Sequence, residues 1–192
     1  MNKTILLGLN ELNFDYIKFY IDQGLLPNFK FLFEIQPPIE TVSENEYKLL
    51  EPWVQWVTIH SGKSYEEHNV FRLGDIVDHP ELSQLFEELE NEGLSVGAVS
   101  PFNAENRLNN PVFFVPDPWT KTVPSGNWIV KALYQAVHQS VNDNAKSKLN
   151  FKSIFSLGLG LLLYVPLYRW SHYLKTVFNL KKPGTKALIL DS

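Results

Sequence analysis

Thr4 to Leu9 is an unbroken apolar run closing on Asn10 and Glu11, and apolar residues then recur at helical spacing from Phe14. The pattern predicts strand, turn and helix. A run that is apolar on both faces predicts a strand of a parallel α/β sheet, and in such sheets ligands gather at the carboxyl ends of strands, here at Asn10 and Glu11. The helix predicted over Phe14 to Gln23 turns Phe14, Ile17 and Ile21 to one side and stops at Gly24. Pro27 opens a second helix with Phe29, Leu32 and Phe33 as its buried face, Pro37-Pro38 closes it, and Ile39 to Ser43 is a candidate short strand.

After a polar loop, Trp53 to Ser61 has helical periodicity, with Glu51-Pro52 at its start and Gly62 at its end. Proline is favoured in a first helical turn, which places Glu51 at the helix N-terminus, a good position for an anion or a metal-bound group. Pro80 to Asn91 forms an amphipathic pattern with Leu82, Leu85, Phe86 and Leu89 inward, and Gly93 stops it before a buried strand over Leu94 to Ser100. A loop from Pro101 to Asn110, a short strand over Val112 to Val115 and a turn-rich segment lead to a helix over Trp128 to Val141. The alternation of strands and helices predicts a three-layer α/β/α sandwich with a largely parallel sheet.

The last third of the chain changes character. Ser153 to Tyr168 carries no charge but is interrupted by Pro166, and it is shorter than the roughly 18 apolar residues of a membrane-spanning helix. Arg169 to Lys182 then mixes Trp170, Tyr173, Val177 and Phe178 with lysines. Such interleaving predicts either an interfacial membrane helix or a covering helix with solvated lysines. From Lys146 onward there are eight Lys and Arg against the single acid Asp191, while the preceding residues carry nine against twenty. The division separates residues 1–145, the α/β part, from a basic, apolar segment 146–192 expected to make peripheral membrane contact through 153–182. The acidic balance of the first part argues against a general nucleic-acid surface.

With 192 residues, 44% hydrophobic, the chain has enough apolar material for one globular domain. It has no cysteine, so any metal must use carboxylate, imidazole or amide ligands. The short apolar stretch at the N-terminus is no signal-peptide core, and the expected location is cytoplasmic, peripheral to the membrane. The apolar run Ala187 to Leu190 at the very end has the look of an interrupted element, which predicts a fragment of a longer protein.

Glu51 to Asp75 concentrates the chemistry. Trp53 and Trp56 flank the polar Gln55, and His60, His68, Glu66 and Glu67 follow within a short span. Large apolar bodies beside polar groups are the composition of a pocket wall, although tryptophans at this spacing are more often core anchors. Ser61-Gly62-Lys63-Ser64 is no phosphate loop, because position 57 is Val where the pattern needs Gly, and the tetrapeptide follows a helix rather than a strand. His60 fits a partly buried helix residue, His68 a loop-fixing one, and Glu66-Glu67 a solvated turn.

The strand ending at Asn10-Glu11, the helix leading into the sequence LPNFKFL, and the run Ser61 to Val70, SGKSYEEHNV, resemble in order and spacing the N-terminal half of the alkaline phosphatase superfamily. More narrowly they resemble its type I phosphodiesterase and nucleotide pyrophosphatase, sulfatase-like branch, over Thr4 to about Val99. The resemblance implies divalent metal ions (Zn, Mn, Mg or Ca), with Asn10 at the place of a ligand Asp and Glu11 and Glu51 as carboxylate ligands. It also implies that Gln55 holds a phosphate oxygen and that Glu51 acts in catalysis. Pro52 falls where the family has its Thr or Ser nucleophile, and the Asp-His-Gly motif of the family's C-terminal half has no counterpart here. The function expected is therefore a metal-dependent hydrolase or transferase of phosphodiester, pyrophosphate-type or related esters, lipid- or glycan-linked small substrates among them, in a form lacking the hydroxyl nucleophile. The alternative is a non-catalytic protein of the same fold that binds a ligand or docks on a membrane or partner.

Overall fold

The computed structural model describes residues 3–142 and 151–171, and these form a mixed α/β structure. Helices α1 (Phe14–Asp22) and α2 (Pro27–Ile35) begin and end where local chemistry dictates. The Asn13 side chain accepts from the N–H groups of Asp15 and Tyr16 at 2.9 and 3.1 Å, and Gly24 takes a left-handed φ of +73° beyond the last turn. Pro27 occupies the first turn of α2. Phe14 stacks on Phe33, and Phe29 meets Phe33 edge-on. The buried face expected of α2 is only partly realised: Phe29 and Phe33 are half-buried, but Leu32 is 56% exposed.

The sheet consists of β1 (Gly97–Val99) and β2 (Phe113–Val115), paired in parallel with Gly97 opposite Phe113 and Val99 opposite Val115. Gly97 is required by close approach, since a Cβ there would lie 2.6 Å from the Phe113 ring. Ala98 and Phe114 face the same core, with Ala104 buried between them and Phe86 and Leu108 packed around it. Phe114 exchanges both backbone bonds with Ser125, which closes the outer side of β2. On β1, the Val96 carbonyl and the Ser100 N–H bond to the β2 side, so by the two-residue period Gly97 and Val99 point their backbone groups to an edge that is unpaired among the described residues.

Two expectations about strands are corrected. Thr4 to Leu9 forms no strand: nothing among the described residues pairs with it, and Ile5 is 89% exposed, with Leu6 and Leu7 close behind. Ile39 to Ser43 is likewise unpaired and exposed. The strand predicted over Leu94 to Ser100 shortens to β1, with Val96 and Ala98 buried but Val99 70% exposed on the outer face.

A second core lies under helix α3 (Pro52–Ser61), where Val57, Val70, Ile76 and Leu82 pack together. The one-turn helix α4 (Tyr65–His68) starts with a capping box in which Ser64 and Glu67 serve each other's backbone, so Glu67 is a cap. Helix α5 (Leu85–Asn91) also begins with a capping box, here Gln84 with Glu87. Its start is five residues later than the apolar spacing predicts. Ahead of it, the Arg107 guanidinium donates to the carbonyls of Ile76, His79 and Leu82 at 3.0, 3.0 and 2.6 Å and ties down the short 3-10 helix Asp75–Asp78 and the turn that follows it. Leu82 reaches the core from that turn.

Helices α6 (Trp128–Asn142) and α7 (Phe151–Tyr164) pack against each other. Asn127 caps α6 by accepting from Ile129 and Val130 N–H, both at 3.0 Å. Gly160 lets the helices approach, since a Cβ there would lie 2.4 Å from Leu133 Cδ2. Pro166 follows the end of α7, as its missing N–H requires. No helix among the described residues is long and apolar enough to cross a membrane. The connector at 143–150, the helical pattern after residue 171 and the apolar terminus lie outside the described residues.

Candidate functional site

Although Thr4 to Leu9 is not a strand, its end is fixed against α3. Trp56 Nε1 donates to Asn10 Oδ1 at 3.2 Å, and Gly8 lies so close to the Trp56 ring that a Cβ would sit 2.6 Å from it. Two segments 46 residues apart are thereby joined. Glu11 follows with a left-handed φ of +57°, a conformation that a non-glycine residue adopts only under local constraint. Glu51 precedes α3, and its carbonyl accepts the N–H groups of Val54 and Gln55 at 2.9 and 3.1 Å while its half-buried side chain makes no capping bond. Pro52 has no N–H, so Trp53 supplies the first-turn N–H that remains for an anion.

Gln55 lies in the first turn of α3. Its Nε2 donates to the Leu49 carbonyl at 2.7 Å and ties the turn Tyr47–Leu49 to α3. The candidate ligand set was tested against the demands of a divalent cation. Asn10 already spends a lone pair on the Trp56 indole, which leaves the carboxylates of Glu11 and Glu51, and no group of three or more His, Asp or Glu poised for a metal occurs among the described residues. Hard divalent cations take six or more oxygens, so these residues alone do not make a metal cage.

Both histidines of the stretch serve packing. His68 is buried, accepts from Val70 N–H through Nδ1 at 3.0 Å, and therefore carries its proton on Nε2, 3.1 Å from Thr58 Oγ1. His60 is sandwiched between Trp56 and Phe86, with its buried Nδ1 lacking a partner. Loss of hydration holds its pKa down at about 4, and burial lowers that of His68 too. The consequence for stability has a definite sign. In the unfolded chain a histidine gains its proton near pH 6.5, whereas folded His60 refuses it down to about 4, so stability rises with pH across that window. The full contribution, of order 3 kcal/mol for a shift of this size, is present above pH 6.5 and lost as pH falls toward 4. Urea unfolding at pH 7 and pH 4.5 is expected to show a smaller loss of stability for His60→Leu than for the parent chain, His68 accounting for part of what persists. An unchanged pH slope in His60→Leu would refute this assignment.

The most elaborate polar cluster was not foreseen from the sequence. Asp117 is fully buried, and its carboxylate accepts from the N–H groups of Asn103, Trp119 and Thr120 and from the Thr120 hydroxyl, at 2.7 to 2.9 Å. Asn103, itself in a left-handed conformation with φ +49°, accepts from Gly74 N–H at 2.8 Å and donates to the carbonyls of Trp53 and Arg72 at 2.8 and 3.3 Å. The pair thus ties the first turn of α3 to the loops at 72–74, 100–103 and 117–120. Every oxygen of the carboxylate is used, so the cluster positions the site from behind rather than facing a ligand. Its one sequence signal is the spacing Asp117-x-x-Thr120, the pattern of a side chain bonding its own turn.

At the carboxyl ends of β1 and β2, Ser100, Val115 and Pro116 face Val130, Leu133 and Val137 of α6 across a cleft of about 380 Å³. Compared with known proteins, the chain matches no family model, no curated protein and no solved structure.

Proposed function

We propose that the surface where Asn10-Glu11 meets α3 at Trp56 handles a phosphoester, and that the chain is a metal-dependent hydrolase or transferase for phosphodiester, pyrophosphate-type or related ester substrates. The observation that carries this reading is the Trp56 to Asn10 hydrogen bond, which holds the end of the Thr4–Leu9 run against the helix that Glu51 precedes. The likeness of Ser61 to Val70 and of the flanking segments to the type I phosphodiesterase branch of the alkaline phosphatase superfamily supports it. In the same reading the parallel pair of β1 and β2 is part of a three-layer α/β/α sandwich, and the edge of β1 that is unpaired among the described residues, with the backbone of Gly97 and Val99 outward, is the place where a further strand could be added.

Glu51 is the residue with an uncommitted carboxylate at the helix start, and Glu11 its partner in charge. A bound divalent cation would supply electrophilic polarisation of the phosphoryl group, and it would need oxygen ligands beyond Asn10, Glu11 and Glu51. Equilibrium dialysis of the chain against Zn²⁺ and against Mn²⁺ tests the assignment. Weak uptake, as befits an incomplete ligand set, is expected, falling by about tenfold in affinity in Glu51→Gln through loss of a ligand charge. Identical uptake in parent and variant removes Glu51 from the ligand set.

A second reading is favoured by Pro52, which cannot attack phosphorus, and by the commitment of Gln55 to Leu49. In it the protein is non-catalytic and docks on a membrane. The exposed Ile154, Phe155, Leu162, Leu163 and Leu167 of the 151–171 segment, accompanied by Lys152 and Arg169 and no acid, support peripheral contact. Sedimentation with anionic vesicles is expected at low salt and weaker binding at high salt, and absence of sedimentation at either would end this reading.

A further inference from the structure

The cleft at the carboxyl ends of β1 and β2 belongs to neither polar cluster. Its walls are Val115, Pro116 and Pro118 on one side and Val130, Leu133 and Val137 of α6 on the other. Three hydroxyls reach it, and two are engaged. Tyr164 accepts from Asn127 Nδ2 at 3.2 Å, and buried Tyr134 points its hydroxyl toward the Asp117 carbonyl at 3.5 Å. Ser100 remains, at the mouth, held out by a left-handed φ of +51°. A sugar or a base placed inside would lose its hydration and find few partners, so the part of a ligand that enters must be apolar.

Its size narrows the choice. About 380 Å³ lies at the lower end of small-molecule sites, room for one flexible chain rather than a fused ring system with its substituents. The location is the one where open parallel sheets gather ligands. Charge indicates what the chain is attached to. Helices α6 and α7, which border the cleft through Val130, Leu133, Val137 and Tyr164, contain Lys131 and Lys152 and no Asp or Glu, and Arg169 follows. Leu162 and Leu163, which precede the cleft residue Tyr164 in α7, are exposed. A hairpin of this kind favours an amphiphile with an anionic head over a cationic one.

We infer that this cleft binds the alkyl chain of an anionic, lipid-type amphiphile. As the apolar part of a phosphoester substrate the chain deepens the reading given above and rests on it, but the cleft is tested without it. Monododecyl phosphate, kept below its micelle concentration and titrated calorimetrically in EDTA so that no metal or turnover contributes, is the probe. The full chain is expected to bind it, and inorganic phosphate is expected not to compete. Val137→Trp, at a wall position 45% exposed and so able to accept a larger side chain, is expected to weaken binding about tenfold or more by filling the cleft. A measurement that needs no variant accompanies it: a spin-labelled dodecyl phosphate should broaden the amide signals of Val115, Val130 and Val137 ahead of those of α1 and α2. No binding by the parent chain, equal binding by a folded Val137→Trp, or broadening centred elsewhere would overturn the inference. Retained alkyl binding without any phosphodiester hydrolysis would instead leave the cleft standing and count against the phosphoester reading.

Discussion

Asp117→Ala is expected to lower the stability of the chain by about 3 kcal/mol or more, the largest effect of any single substitution considered. The carboxylate is fully buried and accepts four hydrogen bonds, three from backbone N–H groups that have no other place to go. Removing it strands those donors in a site that water does not reach, and an unsatisfied buried donor costs about 1–3 kcal/mol. The bonds are not additive, because the loop can relax and admit water. The loss also propagates. Asn103 N–H is one of the donors, and the Asn103 side chain holds the Trp53 carbonyl in the first turn of α3. Asp117→Asn keeps an oxygen acceptor but turns two donors of its own toward existing donors, so it should fall close to alanine rather than midway. Urea unfolding monitored by tryptophan fluorescence checks this. A cost under about 1 kcal/mol for Asp117→Ala would mean that water satisfies the loop, and that the cluster does not organise α3.

What could be read from the sequence was what neighbouring residues decide among themselves. Asn13 and Gly24 around α1, Pro27 opening α2, Gly62 closing α3 and Pro166 after α7 act within a turn of their own position, and their helices lie where expected. Strands need a partner that the local pattern does not specify. Thr4–Leu9 has the composition of a buried strand, yet nothing pairs with it among the described residues, and its side chains lie in solvent. The start of α5 differs from the expected one for a related reason: Arg107, 25 residues downstream of Leu82, takes the Leu82 carbonyl that a helix from Pro80 would have used.

The candidate site divides in the same way. Asn10 and the region of Glu51 were legible as polar ends of two elements, and the Trp56 bond joins the first to α3. The commitment of Gln55 to Leu49 could not be seen, since an amide on a helix can turn to ligand or to backbone with equal ease. Asn103 and Asp117 leave no clear sequence signal because their partners come from the first turn of α3 and three separate loops. Left-handed backbone at Asn103 leaves no mark in composition beyond the asparagine itself.

Glu51 is where the functional account stands or falls. Its side chain is half-buried and makes no capping bond to α3. Glu51→Gln keeps the shape, removes the charge and takes nothing from the cores under α3, so its effect on stability should lie within about 0.5 kcal/mol. Its effect on chemistry should be large, because a carboxylate acting on the reacting phosphoryl group contributes about 10²-fold or more. Trp56→Phe should retain part of the rate, since it loosens Asn10 without touching Glu51. The decisive measurement is the rate of bis(p-nitrophenyl) phosphate hydrolysis by the full chain with Zn²⁺ or Mn²⁺, in the parent and in Glu51→Gln. The account predicts turnover above the metal-only background in the parent and a drop of about 10²-fold in the variant at unchanged stability; background rates in the parent, or equal rates in both, would contradict it.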